Sequence, residues 1–324
     1  MAKSMPPASV PPAPTGPSEL KAALDHLRDP RVLAGVTLGS EVRRSMSEFL
    51  HARGFVEIPS VLVAPVTDPL NHPVYDARVD YYGHDFQLTR SMIFHKQLAT
   101  LSFEKVFCFS PNLRFEPLDR KDTGRHLAEF TQLDLEVRDA RREEVMTLAE
   151  EMLVHVVGSV RRRQGAILRA LLRSLPQLAP PFPRISYTEA REKHGDSFEA
   201  ILSQREPQPF WIVDIPLADR EFYDREDPER PGLLLDMDLI YPEGYGEAIS
   251  GGEREYELAQ ILRRIEKKGQ DPEQFRWYVE AVKSGLPPSS GFGIGIERLC
   301  RWLGGLKGVD QTTLFPKRIG QWSL

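Results

Sequence analysis

The stretch LRFEPLDRKDTGRHLAEFTQLDLEV, residues 113–137, decides how the rest of the sequence is interpreted. It predicts a strand, a charged loop and a returning strand. On the first strand, Arg114 and Glu116 lie two residues apart and therefore share a face. The returning strand alternates polar and apolar positions, which is typical of a half-buried antiparallel strand. Its polar face carries Phe130, Gln132, Asp134 and Glu136, and its other face carries Thr131, Leu133, Leu135 and Val137.

The loop between these strands concentrates positive charge. Arg120, Lys121, Arg125 and His126 lie between strands that already carry Arg114. Such a cluster repels itself unless an anion offsets the charge, so we predict an anion-binding loop. A hairpin with one solvated face and a few surface ion pairs would have a similar pattern.

The stretch GFGIGIER, residues 291–298, predicts a strand with one bare face. Gly291, Gly293 and Gly295 alternate with apolar residues, so a flat ligand could approach the backbone on the glycine side. Arg298 follows directly. Close packing between strands would explain the same alternation, and the spacing is not that of a dinucleotide-binding fingerprint.

Together these stretches resemble motifs 2 and 3 of the class II aminoacyl-tRNA synthetases, in particular the aspartyl and asparaginyl group. The similarity rests on RFE, RHLAEFTQLD and GxGxGxER, and it extends to LTRSMIFHKQL at residues 88–98 and EAISGGER at residues 247–254. It runs from near residue 33 to the end of the chain. The resemblance implies an α+β fold in which an antiparallel β-sheet is flanked by helices.

The chain is therefore expected to hold one catalytic domain, residues 31–324, after a disordered Pro-rich tail, residues 1–30. A helix is predicted from an N-cap at Ser40 to Gly54, followed by a strand over residues 55–58. These elements resemble motif 1, which forms the dimer interface in that family and implies a homodimer. A plain surface helix and strand would look similar.

Composition limits the functional classes. Hydrophobic residues make up 41% and charged residues 27% of the 324 positions, as in an ordinary globular protein. The net charge of −5 argues against a broadly basic nucleic-acid surface. No apolar run approaches the length of a membrane span, so we expect a soluble, cytoplasmic protein. Cys108 and Cys300 lie in apolar runs and are expected to be buried, reduced thiols.

The resemblance implies roles at an ATP site. Arg114 would bind the α-phosphate, Glu116 would face the adenine or the substrate, and Phe130 would stack on the adenine. The outer phosphates would meet His126 and Arg298. The other residues of the implied ATP site are Arg125, Glu247 and Gly295.

A magnesium site is expected beside the phosphates. Carboxylate and hydroxyl oxygens are hard ligands that suit Mg²⁺ when it bridges the phosphates of a nucleotide. The candidate ligands are Glu247 and Ser250, joined by Asp238.

The amino-acid substrate is expected to meet a second set of residues. In the aspartyl enzymes the lysine that corresponds to Lys96 reaches the substrate carboxylate, so Lys96 is expected to act in catalysis with Arg114 and Arg298. Arg254 offers a bidentate fork for a substrate carboxylate. Asp214 is expected near the substrate amino group. The other expected substrate contacts are Gln132, Asp134, Ser250, Gly251 and Gly252.

One charged segment has two interpretations. Buried strands are predicted at residues 210–215 and 237–241, and between them lies REFYDREDPERPG, residues 220–232. This segment is either a mobile lid over the site or a surface insertion.

The expected reaction depends on what attacks the adenylate. Aspartyl- and asparaginyl-tRNA synthetases carry an N-terminal OB-fold anticodon domain, for which the residues before position 31 leave no room, so tRNA is not an expected partner. A core without that domain resembles the archaeal-type asparagine synthetases, which share LTxSMIxHKQL, GRHxxEFTQLD and SGGERE. The resemblance implies that ATP activates the side-chain carboxylate of aspartate and that ammonia displaces AMP, giving asparagine.

Three alternatives stay open. The first is an amide ligase that acts on a different amino dicarboxylate. The second is a truncated synthetase that charges tRNA or transfers aspartate to another acceptor. The third is a non-catalytic regulator.

Overall fold

The computed structural model describes residues 17–321, and at its centre lies an eight-stranded β-sheet. The strands in chain order are β1 (Val56–Glu57), β2 (Val63–Ala64), β3 (Arg78–Tyr81), β4 (His84–Leu88), β5 (Lys105–Leu113), β6 (Glu129–Arg138), β7 (Arg184–Ser186), β8 (Phe210–Val213), β9 (Asp236–Tyr241), β10 (Gly246–Glu253) and β11 (Ser289–Gly295). The order across the large sheet is β1-β5-β6-β11-β10-β9-β8-β7.

The inner strands of this sheet, from β5 to β8, pair antiparallel. Parallel pairs form only at the two edges, β1 with β5 and β7 with β8. Strands β2, β4 and β3 form a separate small antiparallel sheet. The predicted antiparallel sheet is therefore confirmed, with parallel edges added.

Helices cover the sheet. In chain order they are α1 (Pro17–Arg28), α2 (Pro30–His51), α3 (Ile93–Ala99), α4 (Arg142–Arg163), α5 (Gly165–Ala170), α6 (Tyr187–His194), α7 (Phe198–Arg205), α8 (Leu258–Lys267), α9 (Arg276–Lys283) and α10 (Ile296–Gly304). Short 3₁₀ turns lie at Leu118–Arg120, Gly195–Ser197, Leu217–Asp219, Pro272–Phe275 and Val309–Thr312.

The apolar face of β6 and β11 packs into the main core together with α2, α4 and α10. Leu133 and Leu135 of β6 are fully buried there beside Met46, Val156 and Leu299. Burial of each such side chain contributes about 1.5–3 kcal/mol to folding. The opposite, polar face of these strands is left free to carry a site, as the alternation of residues 130–137 predicted.

Pairing between β5 and β6 confirms the predicted hairpin. The register runs from Lys105 opposite Val137 to Leu113 opposite Glu129. Arg114 and Glu116 follow the end of β5, where the Arg114 amide donates to the Ala128 carbonyl at 2.8 Å. The hairpin therefore brings the charged loop and the polar strand face to one place.

The first long helix begins earlier than predicted. Helix α2 starts at Pro30, and the Asp29 carboxylate caps it by accepting from the Arg31 amide at 2.7 Å. Ser40, the predicted N-cap, lies in the helix interior, so this prediction is wrong. Aspartate before a proline at the first helical position is itself a strong start signal.

Only part of the predicted disordered tail, residues 1–30, can be compared with the structure. Residues 1–16 lie outside the described residues. Residues 17–28, which the prediction assigned to the tail, form α1. His26 on this helix makes a hydrogen bond of 3.0 Å to the Thr313 carbonyl, so α1 is tied to the last part of the chain.

Part of the segment 220–232 is neither an exposed lid nor a surface insertion. Phe222 is fully buried in a second apolar cluster with Phe94 and Tyr278. Glu221 and Asp224 are also buried. Apolar side chains inside the charged run thus anchor its first half against α3 and α9.

Two further sequence predictions concern burial. Cys108 and Cys300 are free, buried thiols, as predicted, and burial raises the pKa of both. Within residues 17–321, no helix has the length and apolar character needed to cross a membrane.

Candidate active site

A cavity of about 330 Å³ opens on the polar face of the large sheet. Strands β6, β10 and β11 form its floor, and loops form its walls. Most of the residues that the sequence analysis predicted for the site line this cavity. They are Lys96, Arg114, Glu116, Arg125, His126, Phe130, Gln132, Asp134, Glu247, Ser250, Gly251, Arg254, Gly295 and Arg298.

One end of the cavity, here called the outer end, holds Arg125, His126 and Arg298. Arg298 donates from Nε to the Arg125 carbonyl at 3.3 Å, and its Nη2 lies 3.5 Å from His126 Nε2. Its nearest carboxylate oxygen, on Glu247, is 3.4 Å from Nη1. These contacts are long, and Arg125 Nη2 lies 3.3 Å from Glu199 Oε1, so the cations of the outer end have carboxylate partners but are loosely paired.

The electrostatics of His126 support this description of the outer end. Burial, followed by the positive charge of Arg298, lowers the pKa of His126 to about 4. The imidazole is therefore neutral near pH 7 and adds no further positive charge. An anionic ligand such as a triphosphate would accept hydrogen bonds from the arginines here, and its negative charge would reduce the repulsion between them.

Arg114, Phe130 and Glu116 form the wall next to the outer end. The Arg114 guanidinium carbon lies 5.2 Å from the centre of the Phe130 ring, and Arg114 Nε donates to the Arg90 carbonyl at 3.1 Å. His72 Nε2 lies 3.1 Å from Glu116 Oε1. Burial opposes ionisation of Glu116, but the hydrogen bond from His72 and the nearby positive charges together outweigh it, so the pKa of Glu116 is lowered.

The second oxygen of Glu116 is available to a ligand. Oε2 is buried and has no hydrogen-bond partner among the described residues. A buried acceptor without a partner is costly, so a donor on a bound molecule would stabilise this arrangement. An exocyclic amine of a nucleobase is one such donor.

The glycines of β11 divide into two kinds. Gly293 lies opposite Asp134, and a Cβ there would come within 3.2 Å of Asp134 Oδ1, at the floor of the cavity. Gly291 lies opposite Glu136, and a Cβ there would overlap Glu136 and the Leu135 carbonyl. Close strand packing therefore explains Gly291, while Gly293 lines the cavity and approach of a ligand there stays a prediction.

Gly252 belongs with the packing glycines, and its predicted contact with substrate is not borne out by the structure. It does not line the cavity, and a Cβ at this position would overlap Asp236 and the Leu235 carbonyl. Gly251, by contrast, does line the cavity, although a Cβ there would overlap Gly291 and Phe292.

The predicted magnesium ligands lie close together on β9 and β10. Ser250 pairs with Asp238 in the strand register, and Glu247 and Ser250 line the cavity. Asp238 does not line the cavity, and its Oδ2 is paired with Arg220. Its Oδ1 is buried without a hydrogen-bond partner among the described residues.

This donor set is compatible with Mg²⁺ but does not enclose it. Within residues 17–321, no group of three or more His, Cys, Asp or Glu side chains is arranged to hold a metal ion. Mg²⁺ commonly takes one or two carboxylates from the protein and the rest of its ligands from phosphates and water. Glu247 and Ser250 fit that pattern, whereas Asp238 stays outside the lining of the cavity.

The opposite, inner end of the cavity buries a lysine. Lys96 Nζ donates to Asp134 Oδ1 at 2.8 Å and to the Phe292 carbonyl at 3.0 Å, and it lies 3.9 Å from Glu136. Lys96 and Asp134 are 3% and 1% exposed, so the pair is desolvated. Asp134 Oδ2 has no hydrogen-bond partner among the described residues.

Arg254 also lines the inner end, but it is not a free fork. Its Nε donates to Glu136 at 3.1 Å, its Nη1 donates to Asp224 at 3.1 Å, and its Nη2 donates to the Gly291 carbonyl at 2.7 Å. The bidentate clamp on a substrate carboxylate stays a prediction, and Arg254 would have to share its donors between the substrate and the protein's own carboxylates.

Asp214 does not reach the cavity. Its carboxylate is paired with Arg142 at 2.7 Å and with Arg230 at 2.6 Å, and it is not among the lining residues. The predicted contact with a substrate amino group is contradicted. Burial alone would raise the pKa of the Asp214 carboxylate. The hydrogen bonds and positive charges of Arg230 and Arg142 together outweigh burial, so the pKa is lowered.

Other acidic groups, which were not predicted from the sequence, line the cavity where Asp214 does not. Asp68, Asp224 and Asp236 line the inner end, and the Tyr223 hydroxyl donates to Asp68 at 3.0 Å. Burial raises the pKa of Asp224 and Asp236. The sequence analysis missed these residues, although the apolar pair at residues 222–223 inside a charged run was a signal that the segment is buried.

Comparisons with known proteins agree with the geometry. A family model described as tRNA synthetases class II (D, K and N) matches residues 18–319. The chain belongs to this family. Class II synthetases of this kind use ATP and Mg²⁺, and the chain has the fold of their catalytic core.

Three similar proteins carry the name of an asparagine–tRNA ligase or an asparaginyl-tRNA synthetase. The asparagine–tRNA ligase of Pyrococcus abyssi is 33% identical over 309 residues, covering 90% of this chain and 70% of the relative. That of Thermus thermophilus is 32% identical over 333 residues, covering 94% of this chain and 75% of the relative. The asparaginyl-tRNA synthetase of Pyrococcus horikoshii with bound asparaginyl-adenylate is a structural relative with a TM-score of 0.87 and 28% identity, covering 97% of this chain and 76% of that one.

Proposed function

We propose that this protein adenylates aspartate with ATP and transfers the acyl group to ammonia, giving asparagine, AMP and diphosphate. The observation that carries the proposal is one cavity with weakly paired cations at its outer end and a buried lysine at its inner end. Lys96 uses two of its three N–H donors on Asp134 and Phe292, which leaves one for a substrate carboxylate. The nearby Asp68 and Asp224 suit a substrate ammonium group.

The first step needs alignment more than it needs acid–base chemistry. The substrate carboxylate attacks the α-phosphorus, and the bond to diphosphate breaks. Arg114 would hold the α-phosphate, while Arg298 and Arg125 would neutralise the outer phosphates. Bound Mg²⁺ would supply further charge neutralisation on the phosphates. Fixed cations in a water-poor site typically contribute several kcal/mol to such a transition state.

The second step is attack by ammonia on the acyl carbon. The nitrogen forms the amide bond, the acyl–oxygen bond to AMP breaks, and the nitrogen loses its excess proton. The sequence similarity to archaeal-type asparagine synthetases supports this acceptor and the side-chain carboxylate as the activated group. The expected homodimer through α2 and β1, and the cytoplasmic location, stay predictions within this proposal.

A second candidate is transfer of an amino acid to tRNA. The names of the relatives favour it, because the proteins from Pyrococcus abyssi and Thermus thermophilus are asparagine–tRNA ligases. An amide ligase that acts on another amino dicarboxylate would use the same nucleotide-binding residues and is a variant of the leading proposal.

The deciding experiment is product analysis by mass spectrometry with ATP, Mg²⁺, aspartate and ¹⁵N-ammonia. Parallel reactions contain tRNA, replace aspartate with asparagine, or lack ammonia. Labelled asparagine formed with an equal amount of AMP supports the amide ligase. Aminoacylated tRNA without labelled asparagine would replace it with the second candidate.

Matched lysine variants connect this result to the cavity. Lys96→Met should abolish asparagine formation, because the variant has no buried donor to the substrate carboxylate. Lys105→Met is the control, since Lys105 lies at the start of β5 and contacts the Arg53 carbonyl outside the cavity. Equal activity of the two variants would argue against the role proposed for Lys96.

A further inference from the structure

The loop between β2 and β3 forms one wall of the main cavity. Four of its residues, Asp68, Leu70, Asn71 and His72, line that space, and the sequence analysis assigned none of them to the site. One of them, His72, contacts a residue predicted for the nucleotide, because its Nε2 lies 3.1 Å from Glu116 Oε1.

The sequence of this loop limits the conformations that it can adopt. Pro69 and Pro73 fix their own φ angles, and His72, which precedes a proline, is restricted to an extended backbone. Leu70 has a φ of 58°, and its amide donates to Asp68 Oδ1 at 3.0 Å, which supports the turn. The imidazole of the loop is therefore carried on a constrained backbone.

Contacts to other segments hold the loop independently of that imidazole. Asn71 Nδ2 donates to the Asp219 carbonyl at 2.9 Å. The Tyr75 amide donates at 2.9 Å to the carbonyl of Phe115, the residue directly before Glu116. A substitution of the imidazole should therefore leave the loop beside the cavity.

His72 accounts for only one of the two carboxylate oxygens of Glu116. Glu116 is 7% exposed and lines the cavity, and its Oε2 has no hydrogen-bond partner among residues 17–321. An ionised carboxylate can only accept hydrogen bonds, so the group that completes this arrangement has to be a donor. A bound ligand with an N–H group would remove the cost of the unpaired oxygen.

The surroundings of Glu116 indicate a donor on the nucleotide rather than on the amino acid. Burial raises the pKa of Glu116, whereas His72, His126 and Arg114 lower it. His126 and Arg114 belong to the side of the cavity that is predicted to bind phosphates. Phe130 lines the same wall and offers a flat ring on which a base can stack. A stacked adenine carries its N–H donors on the 6-amino group.

We propose that His72 is a positioning residue for nucleobase selectivity, which holds Glu116 Oε1 and keeps the other oxygen for the 6-amino group of adenine. A purine without this amine leaves a buried carboxylate oxygen unpaired and is a poorer substrate. The inference rests on the adenylate-forming step of the proposed function and does not depend on the acceptor of the acyl group.

The test compares ATP with purine riboside 5′-triphosphate, which lacks the 6-amino group, in aspartate-dependent diphosphate exchange by the full-length protein. The unsubstituted protein should prefer ATP in kcat/KM about ten- to hundredfold, as expected for one hydrogen bond to a charged group. His72→Leu should remove most of this preference by raising the KM for ATP, because the Glu116 carboxylate is then free to turn. The KM for the analogue should change much less.

Two matched variants separate positioning from a loss of structure. His72→Gln places an amide donor near the position of the imidazole Nε2 and should retain most of the preference for ATP. His84→Leu, at an exposed position of β4 outside the cavity, should match the unsubstituted protein. A loss of preference in His72→Gln as large as that in His72→Leu would contradict a role through hydrogen bonding.

A double substitution tests whether the two residues act together. Glu116→Ala should also remove the preference for ATP, and adding His72→Leu to it should have no further effect on the ratio. Calorimetric Kd values for the two nucleotides give the same ratio for a variant that exchanges too slowly.

Each remaining outcome overturns one specific claim. An unchanged preference for ATP in His72→Leu, or a raised KM for aspartate at constant preference, overturns the role of His72. Absence of diphosphate exchange by the unsubstituted protein with both aspartate and asparagine overturns the adenylate-forming step itself.

Discussion

The two ends of the cavity handle positive charge in opposite ways. At the inner end, Arg254 donates to Glu136, Asp224 and a carbonyl at 2.7–3.1 Å, so its charge is compensated inside the protein. At the outer end, Arg298 makes only contacts of 3.3–3.5 Å, and one of its neighbours is a neutral imidazole. The inner end is therefore held in one arrangement by its own ion pairs, whereas the outer end pairs its arginines loosely and leaves them able to bind an anionic ligand.

The largest effect that tests this comparison is expected from Arg254→Met. The substitution leaves Glu136 and Asp224 buried without their counter-ion, which should lower the free energy of unfolding by about 3–5 kcal/mol. Urea denaturation measures the change. Arg263→Met is the control, since the Arg263 side chain is 60% exposed and its pair with Glu226 should contribute only about 0–1 kcal/mol. Similar stabilities of the two variants would contradict internal compensation at the inner end.

A smaller effect, on activity rather than stability, is expected from Arg298→Ala. Removal of one fixed cation at the outer phosphates should lower kcat/KM for aspartate-dependent diphosphate exchange about 10²–10³-fold. The free energy of unfolding should stay nearly constant, because the hydrogen bonds that the Arg298 guanidinium donates are long. Arg276→Ala, at an exposed position of α9, is the control. If Arg298→Ala mainly destabilised the fold, the contrast between the two ends would fail.

The smallest effect concerns pH. The pKa of His126 is about 4 in the folded chain against 6.5 for an ordinary histidine, so the unfolded chain binds more protons between these values. Stability should therefore fall as the pH drops from about 6.5 toward 4, by about 1 kcal/mol for this partly exposed ring. His126→Asn should flatten this slope in urea titrations, whereas His84→Asn, at an exposed position of β4, should not. If the free energy of unfolding had the same pH dependence in the unsubstituted protein and in both variants, a lowered pKa of His126 would be contradicted.

The strand floor of the cavity was more predictable from sequence than the ion pairs of its inner end. Strand alternation correctly assigned Gln132 and Asp134 to the cavity face, and Gly293 to the strand beside them. These assignments depend only on neighbours along one strand, for which the period of two is reliable. Motif similarity supplied the roles of Arg114 and Arg298, which periodicity could not.

The inner end was less predictable because its ion pairs join distant parts of the chain. Arg254 donates a hydrogen bond to Glu136, which lies 118 positions away in the sequence. No local sequence pattern indicates that an arginine will be paired with such a distant carboxylate. Asp214 was misassigned for the same reason, since its partners Arg142 and Arg230 come from a helix and a loop. Ser40 was a different error, in which a later polar residue was preferred to the Asp29-Pro30 start.

The packed glycines of the sheet bear on how such a site can change its substrate. Gly251, Gly252 and Gly291 leave no room for a side chain between β10 and β11 and their neighbours, so the floor of the cavity cannot be resurfaced by substitution there. The loops that carry Asp68, Asn71 and Glu221 are held by side-chain hydrogen bonds, which a substitution can replace, rather than by backbone that leaves no room for a Cβ. Attempts to alter the amine or the amino acid that this protein accepts should therefore vary the residues of those loops and leave the strands unchanged. Such changes would alter substrate specificity without altering the strand residues that line the nucleotide side of the cavity.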